Sequence, residues 1–335
     1  MLYLVNQESG TAVVSAMCDL KRLFTLRETV ETLDLAAPPT VRLISQQRVP
    51  PFRRVGILCG SFNPLTFAHT TLAEQAIATF GLDCVFFTLA KVTVDKEQVT
   101  GLSLEDRLLS LSLYAERHPS LAVALVNRGL YFEQAQAFHS LFGGQTALSF
   151  LVGMDKLLQI FDSRYYQDRD SALQQLFKLA SLMVANRGDM DEQSFVHLLD
   201  RPENRPFRKH VRFFTLPEMI ADLSATQVRQ SLATEQPISA YVPLEVETFI
   251  RETRAYHPPL QCGDEQIDVY AVRQALLTLL YTERSCAEPE VDFHRLMTTA
   301  LSSNAQGRAL RQADNVRDVE EHFFTSSLKP KAYSP

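Results

Sequence analysis

Between residues 54 and 216, short apolar runs alternate with stretches of helical spacing. Six runs stand out: RVGILC (54–59), CVFFTLA (84–90), LAVALVN (121–127), ALSFLVG (147–153), SLMVANRG (181–188) and HVRFFTL (210–216). Five of them are rich in Val, Ile or Phe, the composition of strands buried on both faces. Between them, TTLAEQAIATF (70–80) returns Leu72, Ala76, Ile77 and Phe80 to one helical face. SLEDRLLSLSLYAERH (103–118) opens on Ser103 as an N-cap, with Asp106 at the third helical position. FEQAQAFHSLFGG (132–144) stops at glycine, and SALQQLFKLA (171–180) and SFVHLLD continue the alternation. The pattern predicts an α/β fold, a doubly wound parallel sheet covered by helices. Ligands of such sheets bind beyond the carboxyl ends of the strands, near the point where strand order reverses. The loops that follow strands are therefore where chemistry is sought.

The flanks read differently. Residues 1–52 are expected to form a helical N-terminal extension, with Met17, Leu20, Leu23, Phe24 and Leu26 along one face of SAMCDLKRLFTLRETVETLDL. APPT breaks that pattern, VRLIS is strand-like and RVPPFRR is linker-like. The sheet domain is expected over 53–255. Residues 256–335 read as a C-terminal helical extension, with one amphipathic helix (267–284) and a partly disordered polar tail.

Composition narrows the function classes. The chain has 335 residues, 46% of them hydrophobic, enough for a large core, and no apolar run reaches membrane-spanning length. MLYLVNQESG lacks the features of a secretory signal, so a cytoplasmic protein is expected. The five cysteines are scattered without a CxxC pair, which argues against disulfides and structural zinc. A net charge of −6 argues against a nucleic-acid partner. The basic run RPENRPFRKH (201–210) is read as a solvated loop. There is no tryptophan, so any stacking on a ligand falls to Phe, Tyr or His.

Three loops carry candidate chemistry. In GSFNPLTFAH, Gly60 permits close approach to a phosphate, Asn63-Pro64 makes a turn, Thr66 is a cap or hydroxyl donor, and His69 stands in the first helical turn. An ordinary strand–loop–helix corner fits the same residues. In DLSATQVRQSL (222–232), Ser224 and Thr226 are natural N-caps and Arg229 lies one turn on, a second anion site or a capped surface helix. In FLVGMDKLLQIFDSRYY (150–166), Gly153 ends a strand and Asp155 follows, where a carboxylate accepts from ribose hydroxyls or simply caps a helix.

Taken together the three loops resemble one family. GSFNPLTFAH is similar to the GSFNPxTxxH signature of nicotinamide/nicotinate mononucleotide adenylyltransferases, members of the HxGH nucleotidyltransferase superfamily. LSATQVR resembles their ISxTxxR signature and VGMD their GxD element. ISAYVPLEVETFIRE, VANRG and SLEDRLLSLSL resemble further family segments in the family's order, so the resemblance covers about residues 54–253. Thr66 and Ala68 replace the first His and the Gly of HxGH, as in T-x-x-H members.

The resemblance implies a Rossmann-like nucleotidyltransferase core that joins the AMP of ATP to nicotinamide or nicotinate mononucleotide, releasing pyrophosphate. It implies that His69 and Arg229 are catalytic, and that Gly60, Ser61, Phe62, Thr66, Gly153, Asp155, Ser224 and Thr226 hold ATP or its phosphates. Asn63, Lys96, Tyr165 and Arg187 would hold the mononucleotide. Mg²⁺ would arrive with ATP, with no carboxylate cage in the protein. Two alternatives stay open: an adenylyl- or cytidylyltransferase with another phosphate acceptor, and an inactive nucleotide-binding regulatory protein. Oligomeric state is open too, self-association included.

Overall fold

All six apolar runs form strands in the computed structural model, which describes residues 19–48, 50–92, 101–186, 192–217, 220, 223–262 and 265–284. They are β2 (Arg54–Cys59), β3 (Cys84–Ala90), β4 (Leu121–Val126), β5 (Ala147–Gly153), β6 (Ala180–Ala185) and β7 (Val211–Phe214). A seventh strand, β1 (Val41–Gln46), completes a sheet of order β1-β4-β3-β2-β5-β6-β7. β2 to β7 are mutually parallel, and β1 lies antiparallel on β4 with Val41 opposite Val126. The chain steps outward from β2 to β3 and β4, then returns to the other side of β2 for β5, β6 and β7. Strand order thus reverses between β2 and β5, whose carboxyl ends stand side by side. The core is a doubly wound parallel sheet with one antiparallel edge.

Every position of β4 is buried, and all of β3 but Ala90. Burying a Val, Leu or Phe side chain stabilises by about 1.5–3 kcal/mol, so these central runs are held by packing on both faces. The covering helices are α2 (Phe67–Phe80), α3 (Leu104–Ala115), α4 (Tyr131–Phe142), α5 (Met154–Ile160), α6 (Arg169–Leu179) and α7 (Glu192–Asp200), following α1 (Leu20–Thr32). Gly81 ends α2 in the left-handed conformation, φ 63°. Ser103 Oγ accepts the Asp106 N–H at 3.2 Å, the cap its spacing predicts.

The chain divides into two compact units. The first holds residues 29–228 and 239–246 and contains the seven-stranded sheet. Of the described residues, the second holds 19–28, 229–238 and 247–284. It includes the antiparallel strand pair β8 (Leu260–Cys262) and β9 (Glu265–Ile267) and the helix Val269–Arg284. Within it, the Phe24 and Tyr281 rings lie 5.9 Å apart, and the buried Arg273 guanidinium sits 6.0 Å from the Phe249 ring centre. Among the described residues no helix is long and apolar enough to cross a membrane.

Two stretches behave differently from their sequence reading. Residues 29–46, expected to belong to a helical extension, fold onto the sheet. The buried Asn127 Nδ2 donates to the Asp34, Ala37 and Pro38 carbonyl oxygens at 2.9, 3.2 and 3.1 Å, and its Oδ1 accepts the Thr40 N–H at 2.8 Å. Arg128 Nη2 adds a bond to Ala37 O at 2.9 Å, and Lys91 Nζ one to Leu33 O at 2.9 Å. This strap delivers β1 to its place beside β4. The basic run at 201–210 is not a solvated loop throughout. Phe207 is buried and stacks on Phe177 at 5.4 Å, and buried Asn204 Nδ2 donates to Leu198 O at 2.8 Å. Every third residue, Asn204, Phe207 and half-buried His210, turns inward, which a charge count does not register.

Candidate active site

The loop between β2 and α2 leaves the carboxyl end of the strand beside the reversal point. Gly60 N–H donates to Thr88 O at 3.3 Å, extending the sheet by one bond. That amide is therefore committed within the fold, against the expectation that it holds phosphate. What glycine supplies is room: a Cβ at Gly60 would lie 3.1 Å from the Phe62 ring. Phe62 has φ +44°, a conformation a bulky residue adopts at a cost. Its ring offsets that cost by being buried, with centroids 5.0 Å from the His69 ring and 5.4 Å from Phe87. Ser61 between them is exposed.

Two bonds fasten the loop from α3. Arg107, largely buried, donates from Nη1 to the Ser61 carbonyl at 3.0 Å. Asn63 Oδ1 accepts the Leu102 N–H at 3.1 Å, and Asn63 is itself buried. At the start of α2, the Phe67 N–H donates to Tyr241 O at 2.9 Å, so the YVP segment seals one of the helix's open amides. His69 is half-buried. Its Nδ1 accepts the Thr66 N–H at 3.1 Å and lies 2.9 Å from Thr66 Oγ1.

Across the reversal point, β5 ends at Gly153, which caps α5 and leaves Asp155 exposed in the first turn. Lys156 follows, and its ammonium is close enough to act electrostatically on Cys59, the last residue of β2. Burial nevertheless holds the Cys59 thiol neutral, with its pKa well above the ordinary range, and Sγ donates to Gln134 Oε1 at 2.8 Å. Gln134 in turn donates to Gly129 O at 3.0 Å. Burial also raises the Tyr131 phenol, and pushes Tyr166 up to about 12. Tyr166 Oη donates to Ile160 O at 2.9 Å, while Tyr165 stands half-buried in the short turn Ser163–Tyr165. Neutral hydroxyl and thiol groups therefore lie behind the strand ends, and Lys156 Nζ donates to Gln159 Oε1 at 2.6 Å on its own helix.

A family model described as cytidylyltransferase-like matches residues 57–231, the span from β2 through both candidate anion loops. A "Probable nicotinate-nucleotide adenylyltransferase" of Synechococcus sp. (strain JA-3-3Ab) is 30% identical over 214 residues, 63% of this chain and 98% of the relative. The chain belongs to the cytidylyltransferase-like family, in its nicotinate-nucleotide adenylyltransferase branch.

A second family member of that name, from Carboxydothermus hydrogenoformans, is 26% identical over 208 residues, 61% of this chain and 98% of the relative. Among solved structures, Plasmodium falciparum nicotinic acid mononucleotide adenylyltransferase complexed with APC aligns with a TM-score of 0.44 at 14% identity, covering 61% of this chain and 97% of that one.

Against the family's motif, the structure gathers Gly60, Ser61, Phe62, Asn63, Thr66 and His69 in one loop, with Gly153 and Asp155 on the neighbouring strand end. Ser224 caps helix α8 (Ala225–Ala233). Its Oγ accepts the Gln227 N–H at 3.3 Å, while Gln227 Oε1 accepts the Ser224 N–H at 2.9 Å, a reciprocal box. Thr226 is the helix's second residue and exposed, not a cap. Ser224 and Thr226 belong to the first unit and half-buried Arg229 to the second. Lys96 and Arg187 lie outside the described residues. Sequence reasoning missed Arg107 and Lys156. Arg107 was within the quoted SLEDRLLSLSL helix, but its target is 46 positions away; Lys156 directly follows the VGMD element.

Proposed function

We propose that this protein transfers the adenylyl group of ATP to nicotinate mononucleotide, giving deamido-NAD and pyrophosphate. The observation that carries the reading is the pairing of the Gly60–Thr66 loop with the Gly153–Asp155 turn at the point where strand order reverses. The names of the relatives favour the acid mononucleotide over the amide. An oxygen of the mononucleotide 5′-phosphate attacks the α-phosphorus of ATP in line. That O–P bond forms as the bond to the α–β bridging oxygen breaks, and pyrophosphate leaves with the electron pair. No protein nucleophile is required; the chain's work is positioning and charge stabilisation.

In this reading the backbone N–H groups of Ser61 and Phe62 meet phosphate, and the His69 Nε2–H donates to the oxygens of the α-phosphate as charge builds there. Arg229, with the α8 start at Ser224 and Thr226, takes the leaving pyrophosphate. Gly153 and Asp155 receive the adenosine ribose. Asn63, Tyr165, Lys96 and Arg187 serve the mononucleotide, Asn63 by shaping the loop through Leu102. Among the described residues no three His, Cys, Asp or Glu side chains converge. A divalent ion accompanying ATP would be held chiefly by phosphate oxygens and water, as such ions commonly are, and would offset their charge there.

The test is pyrophosphate release from ATP and Mg²⁺ with nicotinate mononucleotide, nicotinamide mononucleotide, phosphopantetheine or glycerol phosphate as acceptor. Release is expected to be fastest with nicotinate mononucleotide. Release only with one of the last two, or with none, overturns the reading.

A further inference from the structure

We propose that Thr66 is a positioning residue that fixes the proton of His69 on Nε2, and is not itself a phosphate ligand. Thr66 has no exposed surface, so its hydroxyl does not reach a nucleotide without rebuilding the loop. Its backbone nitrogen and its hydroxyl oxygen instead both lie within hydrogen-bond distance of His69 Nδ1. A hydroxyl 2.9 Å from Nδ1 is ambiguous alone, because Oγ1 donates or accepts. The backbone decides. The Thr66 N–H at 3.1 Å only donates, so Nδ1 must present its lone pair. A proton on Nδ1 would face the amide hydrogen head-on. The hydroxyl then donates as well, and the ring proton resides on Nε2.

The arrangement is a capping box with histidine at the third position in place of the usual Glu or Gln. The N-cap that starts α2 is thus also the group that selects the tautomer. The Phe62 ring, 5.0 Å away and tilted by 62°, limits the swing of the imidazole. This chain has threonine where HxGH proteins carry the first histidine, and here the substituted position acts through the second.

The inference rests on the proposed adenylyl transfer, in which His69 donates from Nε2, but its first measurement does not. Nitrogen NMR of the ¹⁵N-histidine-labelled full chain, with the His69 signals assigned by their loss in His69→Gln, reads the tautomer directly. A pyridine-type Nδ1 and a pyrrole-type, protonated Nε2 are expected; the reverse overturns the inference whatever the enzyme does. The second measurement is kinetic. Thr66→Val keeps the N–H and removes the hydroxyl donor, so the Nδ1 resonance is expected to move toward the unbonded range. Turnover should fall about tenfold with little change in KM for ATP, and Thr66→Ser should restore both. A raised KM for ATP with unmoved His69 signals would make Thr66 a phosphate ligand and overturn the proposal. If His69→Gln keeps full turnover while the wild-type tautomer is as expected, the catalytic reading of His69 fails and the tautomer assignment stands.

Discussion

Arg107 Nη1 donates to the Ser61 carbonyl oxygen at 3.0 Å, joining the first turn of α3 to the loop ahead of α2. The bond orients the peptide between Ser61 and Phe62, and so the direction of the Phe62 amide. Replacing Arg107 with Met removes a hydrogen bond from a charged donor to the Ser61 carbonyl, a loss of roughly 1.5–3 kcal/mol. Steady-state kinetics are expected to show kcat/KM for ATP reduced by about tenfold or more, with Arg107→Lys intermediate. Unchanged kinetics in the Met variant would remove Arg107 from the site's support.

His69→Ala is expected to lose on the order of 3 kcal/mol of transition-state stabilisation, about a hundredfold in turnover. The fold should persist, since α2 also keeps Leu72, Ala73 and Ala76 in the core. Pyrophosphate release by the purified variant, alongside its circular dichroism, checks both parts. Wild-type turnover would contradict the catalytic role.

Asn127→Ala removes the side chain that holds three carbonyl oxygens and the Thr40 amide of the strap. The expected cost is about 2–4 kcal/mol, a fall in melting temperature of roughly 5–12 °C for a unit of this size. Hydrogen exchange should locate the loss, with residues 34–46 exchanging before β2 and β5. Uniform acceleration across the sheet would mean that the strap is not a separable element.

In the second unit, burial and the nearby Arg254 lower the pKa of His257, with Glu235 opposing them in part. Its Nδ1 is buried and has no hydrogen-bond partner among the described residues. A histidine depressed in the folded state binds its proton more readily once unfolded. Its contribution is therefore intact above the ordinary value near 6.5 and is lost as pH falls below it. Thermal melts at pH 7 and pH 5 should show a smaller drop for His257→Gln than for the wild type; an equal drop would mean that His257 does not titrate in that window.

How far the sequence could be read depended on whether a residue's partner was near it in the chain. β2 to β7 were legible because doubly buried strands leave continuous apolar runs, and the Ser103 cap because both ends of its bond lie within four residues. β1 was visible only as a strand-like stretch, since what makes it part of the sheet is β4, 80 positions on. The loop after β2 was legible as a motif, while the inner workings of that motif were not. That Gly60 spends its amide on Thr88, that Asn63 turns to Leu102, and that Thr66 is sealed from solvent are consequences of burial. Nothing in residue type or spacing encodes them.

The register of β1 against β4 shifts between Leu43 and Ser45. Ile44 is the extra residue, and a bulge there twists the strand away from a flat ladder. An outermost strand with a broken repeat makes a poor template for the same strand of another copy. The upstream segment therefore does more than add a strand. It ends a parallel sheet with an antiparallel, irregular rim, and so gives the molecule a boundary against its own kind on the side where β4 would otherwise lie open.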